Sequence, residues 1–148
     1  MKRQHHRLVD PSSGGALFFT KGALVSKNGG RFPIIEGIPR FVTGSNYTRA
    51  FGDQWNRFPR TQLDSYTGIP LSATRIQRCL RSGLGELSGK LVLEAGSGAG
   101  RFTEVLLAHG AIVDSFDYSH AVLANFANNG LNRRLTLVQA DLFNMPFR

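Results

Sequence analysis

Residues 91–100 read LVLEAGSGAG, an apolar run that stops at an acidic residue and opens into glycines at every second position. Glycine at this density lets the backbone take φ > 0 and lets a ligand approach the main chain closely. Leu91, Val92 and Leu93 read as a buried strand of the parallel-sheet kind, and the segment RFTEVLLAHG that follows spaces Phe102, Val105, Leu106 and His109 on one helical face. Strand, glycine turn and helix in succession make a cradle for a small molecule.

The same alternation continues downstream. The spacing predicts strand 90–95, helix 101–109, strand 111–117, helix 120–128 and strand 135–140, with Ser119 as N-cap of the second helix and Gly130 just beyond its end. Strands alternating with helices imply an α/β unit with a parallel sheet. Upstream, residues 8–43 hold short β-like pieces, ALFFT, ALVS and RFPIIEGIPRFV, parted by the turn signals SSGG, KG and KNGG. The stretch from 44 to 89 mixes aromatic and polar residues before a helix expected at about 72–82. The chain is thus expected to comprise a small β-rich module (1–43), a mixed helical linker or lid region (44–89) and an α/β unit (90–148).

Composition narrows the class of partner. A length of 148 residues with 41% hydrophobic side chains suits one soluble domain. The single cysteine, Cys79, excludes an intrachain disulfide and a multi-cysteine metal site, which points to a reducing, cytoplasmic setting. No apolar stretch approaches the ~20 residues of a membrane helix, and MKRQHHRLVDPSSGG lacks the apolar core of a signal peptide. No membrane partner is expected. The net charge of +8 raises nucleic acid as a partner, but the positive residues are scattered and the aromatic interleaving of single-strand binders is weak. Arg75, Arg78 and Arg81 are spaced as the solvated face of a helix whose apolar side carries Ile76, Cys79 and Leu80, and His5 and His6 read as tail residues.

Two kinds of cofactor use a glycine turn after a first strand. The dinucleotide fingerprint G-x-G-x-x-G, begun at Gly96 and Gly98, demands glycine where Arg101 stands. What is present is E-x-G-x-G-x-G, Glu94 through Gly100, with a carboxylate two residues before the first glycine. That charge serves a pyrophosphate poorly. It suits a cofactor that carries an ammonium and a sulfonium. The next strand ends in Asp117 followed by Tyr118, where a carboxylate can accept both ribose hydroxyls, and the third ends in Asp141, placed to accept from an exocyclic amine such as that of adenine.

On these residues the chain resembles the class I S-adenosylmethionine-dependent methyltransferases, chiefly the small-molecule types. The resemblance rests on KLVLEAGSGAGRF, AIVDSFDYSHAVLANFANN and LTLVQADLFNMPF, within residues 90–147. It implies a Rossmann-like methyltransferase sheet of which the first three parallel strands are present. It also implies that Gly96, Gly98 and Gly100 lie under the methionine part of S-adenosyl-L-methionine, that Glu94 holds its amino end and Asp117 its ribose, that Asp141 takes the adenine amine, and that Tyr118 and Leu142 sandwich the adenine ring. The reaction implied is methyl transfer to a small-molecule acceptor. No general base is identified, with His109 and His120 on helices of uncertain direction. The alternative is a non-catalytic relic or interaction module with a basic surface.

The segment RFPIIEGIPRFV, with FGDQW and TQLDS after it, is similar to the stretch that precedes the methyltransferase domain in a bacterial subgroup, where a zinc-ribbon-like module often stands first. Its four thiolate positions are here occupied by Asp10, Ser13, Ser26 and Gly29, which cannot build a soft tetrahedral site. The module is expected to be metal-free and held by Leu17, Phe18, Phe19, Leu24, Val25, Phe32, Ile34 and Ile35. Trp55 is either a lid over the sulfonium, through the attraction of aromatic faces for cations, or the anchor of a small core. The family sheet has seven strands in the order 3-2-1-4-5-7-6. Arg148 falls after the third, so a fragment is expected, with the glycine strand at an edge, self-association or a partner chain along that edge, and no turnover by residues 1–148 alone.

Overall fold

The computed structural model describes residues 7–42 and 49–148 of the chain; the expectation for His5 and His6 lies outside them. Strands β1 (Leu17–Thr20), β2 (Ala23–Ser26), β3 (Arg31–Ile35) and β4 (Ile38–Pro39) form an antiparallel sheet in sequential order. Ile35 pairs with Ile38 across a two-residue loop in which Glu36 and Gly37 both take positive φ, 52° and 79°. Turns of that hand match the twist of the strands they join, which is why so short a connection suffices.

Helices α1 (Arg49–Arg57), α2 (Asp64–Thr67) and α3 (Leu71–Cys79) and a 3-10 turn (Leu84–Leu87) follow. The start of α3 is capped from a distance, the Asp64 carboxylate accepting the N–H groups of Ser72 at 2.9 Å and Ala73 at 2.8 Å. The rest alternates: β5 (Leu91–Ala95), α4 (Arg101–Ala108), β6 (Ile112–Asp117), α5 (Val122–Asn129) and β7 (Leu135–Gln139), with the strands parallel in the order β5-β6-β7.

Side chains alternate across the sheet, so each face has its own cover. Val113, Leu135 and Leu137 pack with Leu106 and Leu107 of α4 and Val122 of α5, and Val92, Ile76 and Leu80 flank this core. On the opposite face Phe116, Val138 and Ala140 pack with Leu8 and Leu24, flanked by Phe32, Phe41 and Phe147. The meander therefore shares a core with the parallel sheet. It also extends its hydrogen bonding: Arg40 bridges Gln139 in parallel, and the Phe41 N–H donates to the Gln139 carbonyl at 2.8 Å. Ahead of the meander, Arg7 makes a two-pronged pair with Asp114, Nε to Oδ2 at 2.7 Å and Nη2 to Oδ1 at 2.5 Å, and Nη2 also donates to the Thr136 hydroxyl at 3.0 Å. Asp114 and Thr136 are register partners on β6 and β7, so one guanidinium clasps two strands.

Several expectations are corrected. The helix expected at 72–82 stops at Cys79, and Cys79 is exposed rather than on the apolar side. Ser119 is not the residue next to α5, which Ala121 precedes; its hydroxyl accepts from the Ala121 N–H and donates to Asp117. Gly130 does stand just beyond the end of α5, but in the right-handed region, with φ −64°, and a Cβ there would overlap Phe126. Phe18, Phe19 and Ile35 are exposed, whereas Leu24 is buried with Leu17, Phe32 and Ile34 packed beside it and Leu8 added from the segment before β1. Among the described residues no strand pairs with the second edge of β5, and Leu91 and Leu93 stand 57% and 49% exposed beside it, which is where the association expected from the sequence would run. No described helix is long and apolar enough to cross a membrane.

Removing the clasp leaves Asp114 buried and uncompensated, a loss of about 3 kcal/mol for pairs of this kind. Urea unfolding of Arg7→Met is expected to show a loss of that order, whereas one below ~1 kcal/mol would mean that the segment before β1 does not tie the sheet.

Candidate functional site

The loop after β5 is shaped by the tip of β6. The N–H groups of Gly96 and Ser97 both donate to the Phe116 carbonyl, at 2.9 and 3.0 Å, and the Gly98 N–H donates to Asp117 Oδ2 at 2.8 Å. The three glycines serve different ends. Gly96, at φ 75°, has open space where a side chain would stand. At Gly100, φ 87°, a Cβ would overlap the amides of Asn125 and Asn129, so that glycine lets α5 approach the start of α4.

Glu94 lies on the α4 side of β5, 9% exposed. Its Oε2 accepts the hydroxyls of Thr103 at 2.5 Å and Ser115 at 2.8 Å, while Oε1 is buried with no partner. Asn125 Nδ2 donates to the Thr103 oxygen at 2.9 Å, and Asn129 Nδ2 donates to Asn125 Oδ1 at 3.0 Å. A polar chain thus runs from α5 through α4 to β5 and β6. Burial raises the Glu94 carboxyl above its ordinary value, against the lowering effect of the two hydroxyls. Thr103, Ser115, Asn125 and Asn129 were not singled out from sequence; the available signal was the i,i+4 pair of asparagines on one face of α5.

Asp117, also buried, ends β6. Its Oδ1 accepts the Ser119 N–H at 2.8 Å and hydroxyl at 2.6 Å, and its Oδ2 holds Gly98, which leaves capacity on Oδ2 for one more donor. Tyr118 is half-buried, and its carbonyl accepts from Gln139 Nε2 at 2.9 Å. Asp141, just past β7, takes the Phe143 N–H on Oδ1 at 2.9 Å, and Leu142 beside it is exposed. Glu94, Asp117 and Asp141 thereby stand at the carboxyl ends of three adjacent parallel strands, the position at which open α/β sheets bind ligands. Trp55 reaches this loop from α1, its Nε1 4.0 Å from where a Gly98 side chain would begin and without a partner of its own. The Ser97 hydroxyl is likewise buried and unpartnered. Helix α1 is seated by Asn56, whose Nδ2 donates to the His120 carbonyl at 3.1 Å. His109 has Nδ1 2.8 Å from the Val105 carbonyl of its own helix.

In the meander, the turns at 10–15 and 26–30 meet around Asp10. Its carboxylate accepts from the Ser26 hydroxyl and the Ser12 N–H, which hold it below the ordinary carboxylate range. A side chain at Gly30 would overlap both Asp10 and Ser26. The two turns are joined by hydrogen bonds, and no cluster of metal-binding side chains occurs among the described residues.

The raised Glu94 carboxyl has a sign that can be measured. Between its ordinary value of 4.5 and its raised folded value the folded chain binds more protons than the unfolded chain, so stability falls as pH rises through that window. Glu94→Gln is expected to remove this slope and to gain stability relative to the natural chain from pH 4 to pH 7, an interval chosen to bracket the shift. Parallel slopes in urea titrations of the two proteins would contradict the assignment.

No curated protein matches the chain. A solved structure from Methanococcus maripaludis, of a protein assigned as an S-adenosyl-L-methionine-dependent methyltransferase, is similar over 72% of this chain at 20% identity with a TM-score of 0.50. That likeness shows the fold. The match covers 48% of the Methanococcus chain, so the present chain spans about half its length. Residues 93–148, which carry the glycine loop and the tips of β5, β6 and β7, match the family model of the methyltransferase domain.

Proposed function

We propose that the crevice at the tips of β5, β6 and β7 binds S-adenosyl-L-methionine, and that the protein is a methyltransferase acting on a small-molecule acceptor in the cytoplasm. The observation that carries this reading is Glu94 Oε1, a buried carboxylate oxygen with no partner beside an open glycine loop. A site that keeps such an oxygen unsatisfied accepts a cation that the protein does not itself supply. The cofactor's ammonium is such a cation, and the match of residues 93–148 to the methyltransferase domain supports the choice.

In this reading Glu94 holds the amino end, Gly96 and Gly98 pass beneath the methionine part, and the spare capacity of Asp117 Oδ2 takes a ribose hydroxyl. Asp141 receives the adenine amine between Tyr118 and Leu142. Gly100 acts one step removed, by letting Asn125 reach Thr103 and so fix the Glu94 carboxylate. The bound cofactor supplies an electrophilic methyl group on a sulfonium. The chain supplies alignment and exclusion of water, the two demands of such a transfer. Trp55 is assigned to both, since its Nε1 stands 4.0 Å from where a Gly98 side chain would begin and aromatic faces attract cations. The His109 ring is engaged with its own helix and is not assigned as a base.

Calorimetry with S-adenosylhomocysteine and with NADH tests the proposal. Saturable binding of the former is expected, weakened by roughly 1–3 kcal/mol in Asp141→Ala and in Asp117→Ala through loss of hydrogen bonds to a charged acceptor. Binding of NADH with no response to S-adenosylhomocysteine would overturn it.

A further inference from the structure

A second site lies where the meander meets the sheet. Between β3, the β3–β4 turn and the start of α5 is a cleft of about 470 Å³, within the range of small-molecule sites. Arg31, Glu36 and Arg40 line it from the meander, His120 and Leu123 from the α5 side, and Phe41 adds an apolar wall. Glu94, Asp117 and Asp141 are not among its lining residues, so it is separate from the glycine-loop crevice.

Arg40 is what sets this cleft apart. It is 5% exposed, yet the one hydrogen bond of its guanidinium among the described residues runs from Nη1 to the neutral Gln139 Oε1, at 2.9 Å, and its Nε has no partner. Glu36, the one acid on the cleft, makes no ion pair with it; among the described residues the only such pair is Arg7 with Asp114. Glu36 acts on Arg40 through space only, and a guanidinium stays charged in proteins, so a buried one with no counter-charge in contact is costly. Gln139 is itself fixed by its bond to the Tyr118 carbonyl, so the guanidinium is held in one orientation. Arg31, exposed on β3, adds a second positive charge to the same space.

We propose that this cleft binds a small organic anion, a carboxylate or phosphate monoester on an apolar body, with Arg40 and Arg31 pairing the anionic group and Phe41 and Leu123 holding the body. The planar fork of arginine suits both head groups through paired N–H···O bonds. The site depends on the meander being docked on β7, because Arg40 and Gln139 come from the two sides of that junction.

Calorimetry of the natural chain with phenyl phosphate, benzoate and inorganic phosphate tests the assignment, and the first two probes distinguish the head groups. Saturable binding of at least one aromatic anion is expected, about tenfold tighter than inorganic phosphate, a difference of ~1.4 kcal/mol. Arg31→Ala is expected to weaken it about fivefold, and Arg40→Met, an apolar replacement of similar length, to abolish it. Binding of S-adenosylhomocysteine is expected to be the same in all three proteins. No saturable binding of either aromatic anion, affinity equal to that of inorganic phosphate, or unchanged affinity in Arg31→Ala overturns the proposal. Arg31 lies on an exposed strand position, so that variant decides the matter even if Arg40→Met does not fold.

Discussion

A carboxylate taken out of water at the end of β5 organises the parallel half of this chain. Glu94 is held on one oxygen by hydroxyls from α4 and β6, and the α4 hydroxyl is held in turn by an amide from α5. Four elements are thus registered against one charge. Such a network costs stability, because burial disfavours the charged form and one oxygen is left unsatisfied. An apolar residue at 94 would pack the same sheet without that cost. The cost is intelligible if the site exists to receive a cation, as it does in the proposed reading.

The other constraint is the second face of the sheet. Three parallel strands carry apolar residues on both sides, and only one side is met by α4 and α5. The meander and the segment around Leu8 cover the opposite side over β6 and β7. The Arg7 clasp fixes that cover in register, and the β4–β7 junction prolongs it along the sheet edge. Over β5 no such cover is found among the described residues, and Leu91 and Leu93 remain half-exposed.

How much of this was legible in the sequence follows from the range of the interactions involved. The strands and helices from 91 to 139 emerge within one or two residues of their expected ends, because apolar periodicity and glycine punctuation are local. The grouping of Glu94, Asp117 and Asp141 was legible for the same reason: parallel strands bring their carboxyl ends to one side. The partners of Glu94 were not, since Thr103, Ser115 and Asn125 meet it only once α4 and α5 have packed. Ser119 misled because a serine before a helix reads as a cap, whereas here its hydroxyl is shared between Asp117 and Ala121. The Arg40 cleft was invisible because it is made by residues about a hundred positions apart.

The claim that Glu94 is an unfilled receptor for a cation is tested most directly by following its side-chain carboxyl carbon through a pH titration by NMR, with and without S-adenosylhomocysteine, using Glu94→Gln to assign the resonance. Alone, the carboxyl is expected to titrate above 4.5. With the ligand's ammonium beside it, the midpoint is expected to fall, because a neighbouring positive charge favours the ionised form. A midpoint that stays the same in the saturated complex would contradict the account.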